Sequence, residues 1–168
     1  MGTRQQLAFV AKAEAQRFYH GRVLKAGHNL HEIIQHFPDG HIDEFDGMWC
    51  AAFVYHCCVK AGYKIPYHPS TCSCSLAGCK AWEELAKADE DIIYATTKDK
   101  LFTPAAGDIV LFDRVFMDTE HDHIGIVLKN CTSSIVIAEG NFNNVSAVVE
   151  RAKNEHVRAY IRLTEARR

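Results

Sequence analysis

The stretch most able to carry covalent chemistry is "MWCAAFVYHCCV", in which three cysteines lie among small, apolar and aromatic residues. The apolar run from about 47 to 61 predicts a helix that is buried on most sides. Cys50 falls in its first turn, with Asp46 as the predicted cap, and the positive end of the helix dipole lowers the pKa of a thiol there. Cys57 and Cys58 lie two turns further on and are predicted to be small core residues. Cys50 is therefore the candidate nucleophile.

A nucleophilic thiol needs a histidine that accepts its proton and later protonates the leaving amine. Among the ten histidines of the chain, His123 is the first candidate. It begins the strand-like segment "DHIGIVL", and Gly125 two residues later allows backbone or substrate to approach closely. His121, in the more irregular acidic stretch "MDTEHD", is the alternative.

A third polar group must hold the imidazole in place. The next strand-like segment, "IVIAEGN", ends with Glu139 and Asn141, which are two residues apart. Because alternate residues of an extended strand share one face, both side chains are expected to reach the same imidazole from the neighbouring strand. The sequence thus predicts one site that combines a cysteine, a histidine, a carboxylate and an amide.

The elements that must position these residues follow from the apolar periodicity. Residues at three-to-four spacing predict three further helices, over 3–18, 29–37 and 79–88. After Pro104 the pattern becomes that of short strands rich in Val and Ile, over 107–113, 122–129, 133–141, 146–152 and 157–163. This order predicts an α+β fold, with N-terminal helices, including the buried helix headed by Cys50, packed on a C-terminal antiparallel sheet of about five strands.

The size and charge of the chain narrow the class of protein. Its 168 residues fit a single domain, which we expect to have a helical part over 1–44 and a core over 45–163. A net charge of -2 with no basic stripe argues against a nucleic acid partner. No run approaches the roughly 20 apolar residues of a membrane span, and residues 1–16 lack the apolar block of a secretory signal. Seven irregularly spaced cysteines fit a reducing compartment, so we expect synthesis in the cytoplasm.

Two metal sites are alternatives to a cysteine nucleophile, although we expect no cofactor to be required. A small zinc-binding module would use four soft ligands, His68, Cys72, Cys74 and Cys79. Their spacing departs from the paired C-x2-C arrangement of zinc sites. A calcium loop would use four acidic residues, Asp39, Asp43, Glu44 and Asp46. Their spacing does not match an EF-hand, and an acidic solvated turn is favoured.

Four segments in order, "WCAAFV", "AGDIVLF", "DHIGIVL" and "AEGN", resemble the CHAP amidohydrolase and peptidase domains, relatives of the NlpC/P60 and papain-like cysteine peptidases. The resemblance spans about residues 45–163. It implies a nucleophile, its histidine partner and two further catalytic residues, namely Cys50, His123, Glu139 and Asn141. The chain departs from the family in having Asp122 where a glycine commonly precedes the histidine, and in the cysteine-rich segment "TCSCSLAGC".

The resemblance also implies a substrate, the peptide part of bacterial peptidoglycan. The amide bond would be cut between muramic acid and L-alanine, or within the stem or bridge, through an acyl-enzyme on Cys50. Trp49, beside the nucleophile, is the candidate substrate-binding residue. A catalytically inactive domain that binds wall peptides is the remaining alternative. A phage lysin, a delivered toxin and an excised domain of a larger wall enzyme all fit, each acting on the wall after release or delivery.

Overall fold

A computed structural model describes residues 3–38, 40, 42–45 and 47–164, without the side chains of Thr3 and Glu44. The helices in this part of the chain are α1 (Thr3–Ala15), α2 (His31–Ile34), α3 (Cys50–Lys60) and α4 (Cys79–Ala88), with a short 3-10 helix at Ile42–Phe45. The strands are β1 (Ile92–Thr96), β2 (Ile109–Phe112), β3 (His123–Asn130), β4 (Ser134–Phe142), β5 (Val145–Ala152) and β6 (Val157–Leu163).

The six described strands form one antiparallel sheet in the order β1-β6-β2-β3-β4-β5. The predicted α+β fold, with helices ahead of an antiparallel sheet, is confirmed. The prediction of about five strands missed β1, a five-residue edge strand whose side chains are mostly not buried. Its place comes from pairing with the distant β6, where Ile92 lies opposite Leu163. A short edge strand with a mixed burial pattern carries little periodic signal in the sequence.

The helix ends agree with prediction for α4, which covers 79–88 as expected. The prediction of a helix over 29–37 was too long, because α2 is a single turn. α1 ends at Ala15 rather than at residue 18, since Phe18 has a left-handed backbone with a φ of 55°. Helical φ values are negative, so a residue in this conformation cannot continue the helix.

The helix that carries the candidate nucleophile starts later than predicted. Cys50 is its first residue and Trp49 its N-cap, and no side chain in the described part of the chain caps it. Asp46, the predicted cap, lies outside the described residues. Cys57 and Cys58 are confirmed as core residues, with exposures of 0% and 1%.

α3 is packed directly against β4 at Gly140. A Cβ atom placed on Gly140 would lie 2.5 Å from Phe53 Cβ and 2.8 Å from Trp49 Cζ3, both closer than van der Waals contact. The missing side chain therefore lets the first turn of α3 lie against the strand that carries Glu139. This contact sets the distance between the head of α3 and the polar end of β4.

None of the helices in the described ranges is both long enough and apolar enough to cross a membrane.

We predict that Gly140→Ala destabilises the fold by about 1–3 kcal/mol, because the added methyl overpacks the contact with Phe53 and Trp49. The melting temperature should fall by about 2–4 °C for each kcal/mol in a chain of this size. Gly78→Ala is the matched control, since its added Cβ meets the exposed Cys74 side chain at 3.1 Å, which can move aside. Equal melting temperatures for the two variants would contradict the close packing.

Candidate active site

Cys50 lies where the amino terminus of α3 meets a large open cavity. It is 6% exposed and lines this cavity, which has a volume of about 930 Å³. The first turn of a helix has backbone N–H groups without intrahelical partners, and they favour a negative charge nearby. The Ala51 backbone N–H donates to the Cys50 sulfur and lowers its pKa. The thiol is thus placed both to ionise and to meet a ligand.

His123 and Glu139 form a buried pair beside Cys50. His123 Nε2–H donates to Glu139 Oε2 at 2.5 Å, and the two side chains are 1% and 0% exposed. Gly125 lies close to the backbone of β4, since a Cβ placed there would be only 3.1 Å from the Ala138 carbonyl oxygen. The predicted close approach at Gly125 therefore exists, and it is made by β4.

Asn141 does not reach the imidazole, contrary to prediction. The pairing register of β4 shifts between Glu139 and Phe142, and Asn141 has a φ of 59°. Such a bulge breaks the two-residue alternation on which the prediction rested. Asn141 Nδ2–H instead donates to the Gly47 carbonyl oxygen at 2.7 Å. Asn141 thereby joins the end of β4 to the loop that precedes Cys50, and its side chain lines the cavity.

Arg151 on β5 completes the group and was not identified from the sequence. Its Nε–H donates to Glu139 Oε2 at 3.1 Å and its Nη2–H to Oε1 at 2.7 Å. The guanidinium also lies over three aromatic rings at 5.3–5.8 Å, those of Phe112, Phe116 and Phe142. Strand alternation places Arg151 on the same face of β5 as Ala147, the residue opposite Glu139. Arg151 can therefore be recognised as a neighbour of Glu139 only once β5 is known to pair with β4.

The charges at the site favour a thiolate and an imidazolium. The Cys79 thiol, with its Sγ 3.6 Å from Cys50 Sγ, and the His123 imidazole lower the pKa of Cys50 to about 5, although burial opposes them. Burial alone would lower the pKa of His123, but hydrogen bonds to Cys50 and Glu139 raise it to about 9. Because Glu139 occupies Nε2, the nitrogen left to face the thiolate is Nδ1.

Trp49 cannot contact a substrate in this structure, so its assignment as a substrate-binding residue is wrong. Its side chain is fully buried against Gly140. The neighbouring Met48 is 60% exposed and lines the cavity, together with Phe116 and Met117. The cavity wall near the sulfur is therefore largely apolar.

Asp122, the residue by which the chain departs from the family pattern, shapes one wall of the cavity. Its Oδ2 accepts the backbone N–H groups of Val115, Phe116 and Met117 at 2.6–3.0 Å. These bonds hold the loop before β3 so that the Phe116 ring meets the His123 ring edge-on, with centroids 4.9 Å apart. The loop thus packs an aromatic ring against the imidazole.

His121, the alternative histidine, belongs to a different network. Its Nε2 lies 2.6 Å from Glu83 Oε2, and Arg158 donates to the same carboxylate from β6. Burial raises the pKa of Glu83, but hydrogen bonds from Arg158, Tyr94 and His121 outweigh it and hold the pKa well below its usual range. His121 is thus directed toward α4, and His123 is the histidine at the sulfur.

The four residues of the zinc alternative do not converge. Cys72 Sγ donates to the Ala81 carbonyl oxygen, Cys74 is exposed and Cys79 contacts Cys50. Within the described ranges, three possible ligand atoms lie within 4.8 Å of one another only at Glu14, Glu32 and His56. Lys60 and Arg17 already pair with the carboxylates of that group.

The calcium alternative falls largely outside the described residues. Asp39 and Asp46 are not described, nor is the side chain of Glu44. Asp43 is exposed and its Oδ1 accepts a hydrogen bond from Arg22 Nη2 at 2.6 Å. This carboxylate is thus paired with a surface arginine.

Comparison with known families agrees with this geometry. A sequence model of the CHAP domain matches residues 42–141, more than half of the chain. A search of curated proteins found no match to this chain. The matched range contains Cys50, His123, Glu139 and Asn141, whereas Arg151 lies beyond it. CHAP domains are cysteine- and histidine-dependent amidohydrolases or peptidases that act on peptidoglycan. The chain therefore belongs to the CHAP domain family.

Proposed function

We propose that this protein hydrolyses an amide bond in the peptide part of bacterial peptidoglycan through an acyl-enzyme on Cys50. The proposal rests on the chain of contacts that runs from Cys50 through His123 to Glu139 at the cavity. Cys50 lies at the cavity wall beside His123, and His123 donates to the buried Glu139. A thiol, an imidazole and a carboxylate in this order are the parts of a cysteine hydrolase.

The first step is attack by the Cys50 thiolate on the carbonyl carbon of the scissile amide. A bond forms between Sγ and this carbon, and the carbonyl oxygen becomes an oxyanion. The Cys50 backbone N–H at the head of α3 would donate a hydrogen bond to that oxyanion. His123 then gives its Nδ1 proton to the leaving amine as the C–N bond breaks.

The second step releases the acyl group. The neutral His123 accepts a proton from water, and the hydroxide oxygen bonds to the thioester carbon while the C–S bond breaks. Glu139 holds the proton on Nε2, so Nδ1 is the nitrogen that exchanges protons throughout. Arg151 compensates the charge of Glu139 in a site where an unpaired carboxylate would be very costly.

The cavity supports a peptide substrate. It is open, and its volume of about 930 Å³ is large enough for several residues. Its wall combines exposed apolar side chains with polar groups from Asn141 and His68. Two bonds fit this chemistry, the amide between muramic acid and L-alanine and a peptide bond within the stem or bridge. The protein would be made in the cytoplasm and would act on the wall after release or delivery, as a lysin does.

Replacing the nucleophile gives the direct test. We predict that Cys50→Ser lowers the rate of peptidoglycan clearing by at least about 10³-fold, since loss of a catalytic nucleophile removes the covalent route. Cys131→Ser, a substitution in the turn between β3 and β4, is the control and should clear as the parent does. Mass spectrometry of the fragments assigns the bond through the new amine. A Cys50→Ser protein as active as the parent, or a parent that binds walls without releasing fragments, would refute the proposal.

The pH dependence of kcat/KM should be bell-shaped. Below about pH 5 the Cys50 thiolate is protonated, and above about pH 9 the His123 imidazolium loses its proton, so activity is lost on both sides. Cys79→Ala removes the thiol that donates to Cys50, and the acid limb should then move to higher pH. Alkylation of Cys50 by iodoacetamide over the same range reports the thiolate without a substrate. An acid limb near the pKa of an ordinary thiol would contradict the ion pair.

Arg151 is predicted to position Glu139 and to tune His123. Arg151→Gln removes a positive charge that competes for Glu139, so the pKa of His123 should rise and the alkaline limb should move to higher pH. Loss of alignment should also lower kcat/KM by up to about 10²-fold. Arg151→Lys should restore part of the rate, and Arg114→Gln, at an exposed pair with Asp118, is the control. A lower rate with an unchanged pH profile would mean a purely structural role.

A further inference from the structure

A second thiol lies beside the candidate nucleophile. Cys79 Sγ is 3.6 Å from Cys50 Sγ, and each cysteine is the first residue of its helix, Cys50 of α3 and Cys79 of α4. Both side chains line the cavity, with exposures of 6% and 8%. Amide hydrolysis requires only one sulfur, so the hydrolytic mechanism leaves the closeness of the second unexplained.

The separation of the sulfurs is short enough for a covalent bond. A disulfide has an S–S length of about 2.05 Å, so the two atoms need to approach by roughly 1.5 Å, which side-chain rotations of two cysteines can supply. The cavity admits small molecules to both sulfurs. No other cysteine is held as close to Cys50 within the residues that the structure describes.

We infer that Cys50 and Cys79 form a reversible disulfide when the protein meets a small-molecule disulfide or another thiol oxidant, and that this bond switches the active site off. The bond itself depends only on the two thiols. Its effect on hydrolysis rests on the proposed function, because it occupies the sulfur that would attack the amide.

The exchange balances without any further reagent. The Cys50 thiolate attacks one sulfur of the small disulfide, forms a mixed disulfide and expels one thiolate. Cys79 gives its proton to that thiolate and attacks Cys50 Sγ, which expels the second small thiolate; this ion takes a proton from the imidazolium of His123. One small disulfide is thereby reduced to two thiols, and two protein thiols are oxidised to one disulfide.

The electrostatics give the two sulfurs different parts in this exchange. Cys50, with its lowered pKa, is the thiolate that attacks first. The hydrogen bond to the Cys50 thiolate, followed by burial, raises the pKa of Cys79, so Cys79 stays protonated in the resting site. Capture of Cys50 in a mixed disulfide removes that negative charge. Cys79 is then easier to ionise at the moment when its attack is needed.

The remaining cysteines of the region are less suited to this partnership. Cys57 and Cys58 are fully buried in α3, where burial raises the pKa of each thiol. Cys72 donates to the Ala81 carbonyl oxygen. Cys74 is exposed and lies near Gly78, which makes it the competitor that an experiment must separate from Cys79.

The test treats the full chain with oxidised glutathione and follows mass and activity together. Cys50 of the parent should retain no glutathione, and peptide mapping should join its segment to that of Cys79 with the loss of two hydrogens. Peptidoglycan clearing should fall at least tenfold and return with dithiothreitol. Cys79→Ser should instead retain one glutathione on Cys50, whereas Cys74→Ser should behave as the parent does.

A stable glutathione adduct on Cys50 of the parent, a bond from Cys50 to Cys74, or an unchanged mass of the Cys50 segment would each overturn the inference. So would a mapped Cys50 to Cys79 bond that leaves clearing of an active parent unchanged. If the reduced parent clears no peptidoglycan, the proposed function fails while the mass and the peptide map still decide the disulfide. Folding of each variant is checked by its melting temperature before oxidation.

Discussion

The carboxylate of Glu139 is the constraint on which the rest of the site depends. It is a charged group with no exposed surface, and a buried charge is tolerated only when it is paired and hydrogen-bonded. His123 and Arg151 supply its partners from the strands on either side of β4. Removing either one leaves the buried carboxylate with a single charged partner. The orientation of the imidazole is thus tied to the stability of the whole sheet.

The aromatic residues around the Arg151 guanidinium serve the same purpose, since they accommodate the cation that pairs with Glu139. Arg151 carries its charge into the protein between Phe112, Phe116 and Phe142, whose ring faces favour a cation in a place where water is scarce. Phe116 has a second role, because Asp122 holds its loop so that the ring also packs against His123. Asp122, where the family commonly has a glycine, thereby links the cavity wall to the His123 imidazole.

Much of the site could be predicted from sequence because its parts are local. Cys50 heads an apolar helix and His123 heads a strand, and both features can be read in a short window. Glu139 followed from strand alternation, but the same rule was wrong for Asn141, because one bulge reverses the direction of a side chain. Trp49 was assigned to the substrate on adjacency alone, whereas the close contact at Gly140 turns it inward.

The unpredicted residues are those placed by long-range pairing. Arg151 becomes informative only when β5 is aligned with β4. Cys79 becomes informative only when the aperiodic segment between α3 and α4 is known to bring it beside Cys50. β1 was missed for the same reason, since its pairing with β6 joins residues far apart in the chain. Local patterns fix which element a residue belongs to, but not which elements become neighbours.

The strand order has a consequence for how the protein is made. β6 comes last among the described strands, yet it lies inside the sheet, between β1 and β2. Cys50 and His123 both emerge from the ribosome before β6, the strand that joins β1 to the rest of the sheet, which comes with residues 157–163. Until then β2 has an open edge, and contacts of such long sequence separation form slowly. A nascent chain therefore holds the Cys50 thiol beside an unfinished sheet until residues 157–163 have emerged and β6 can pair.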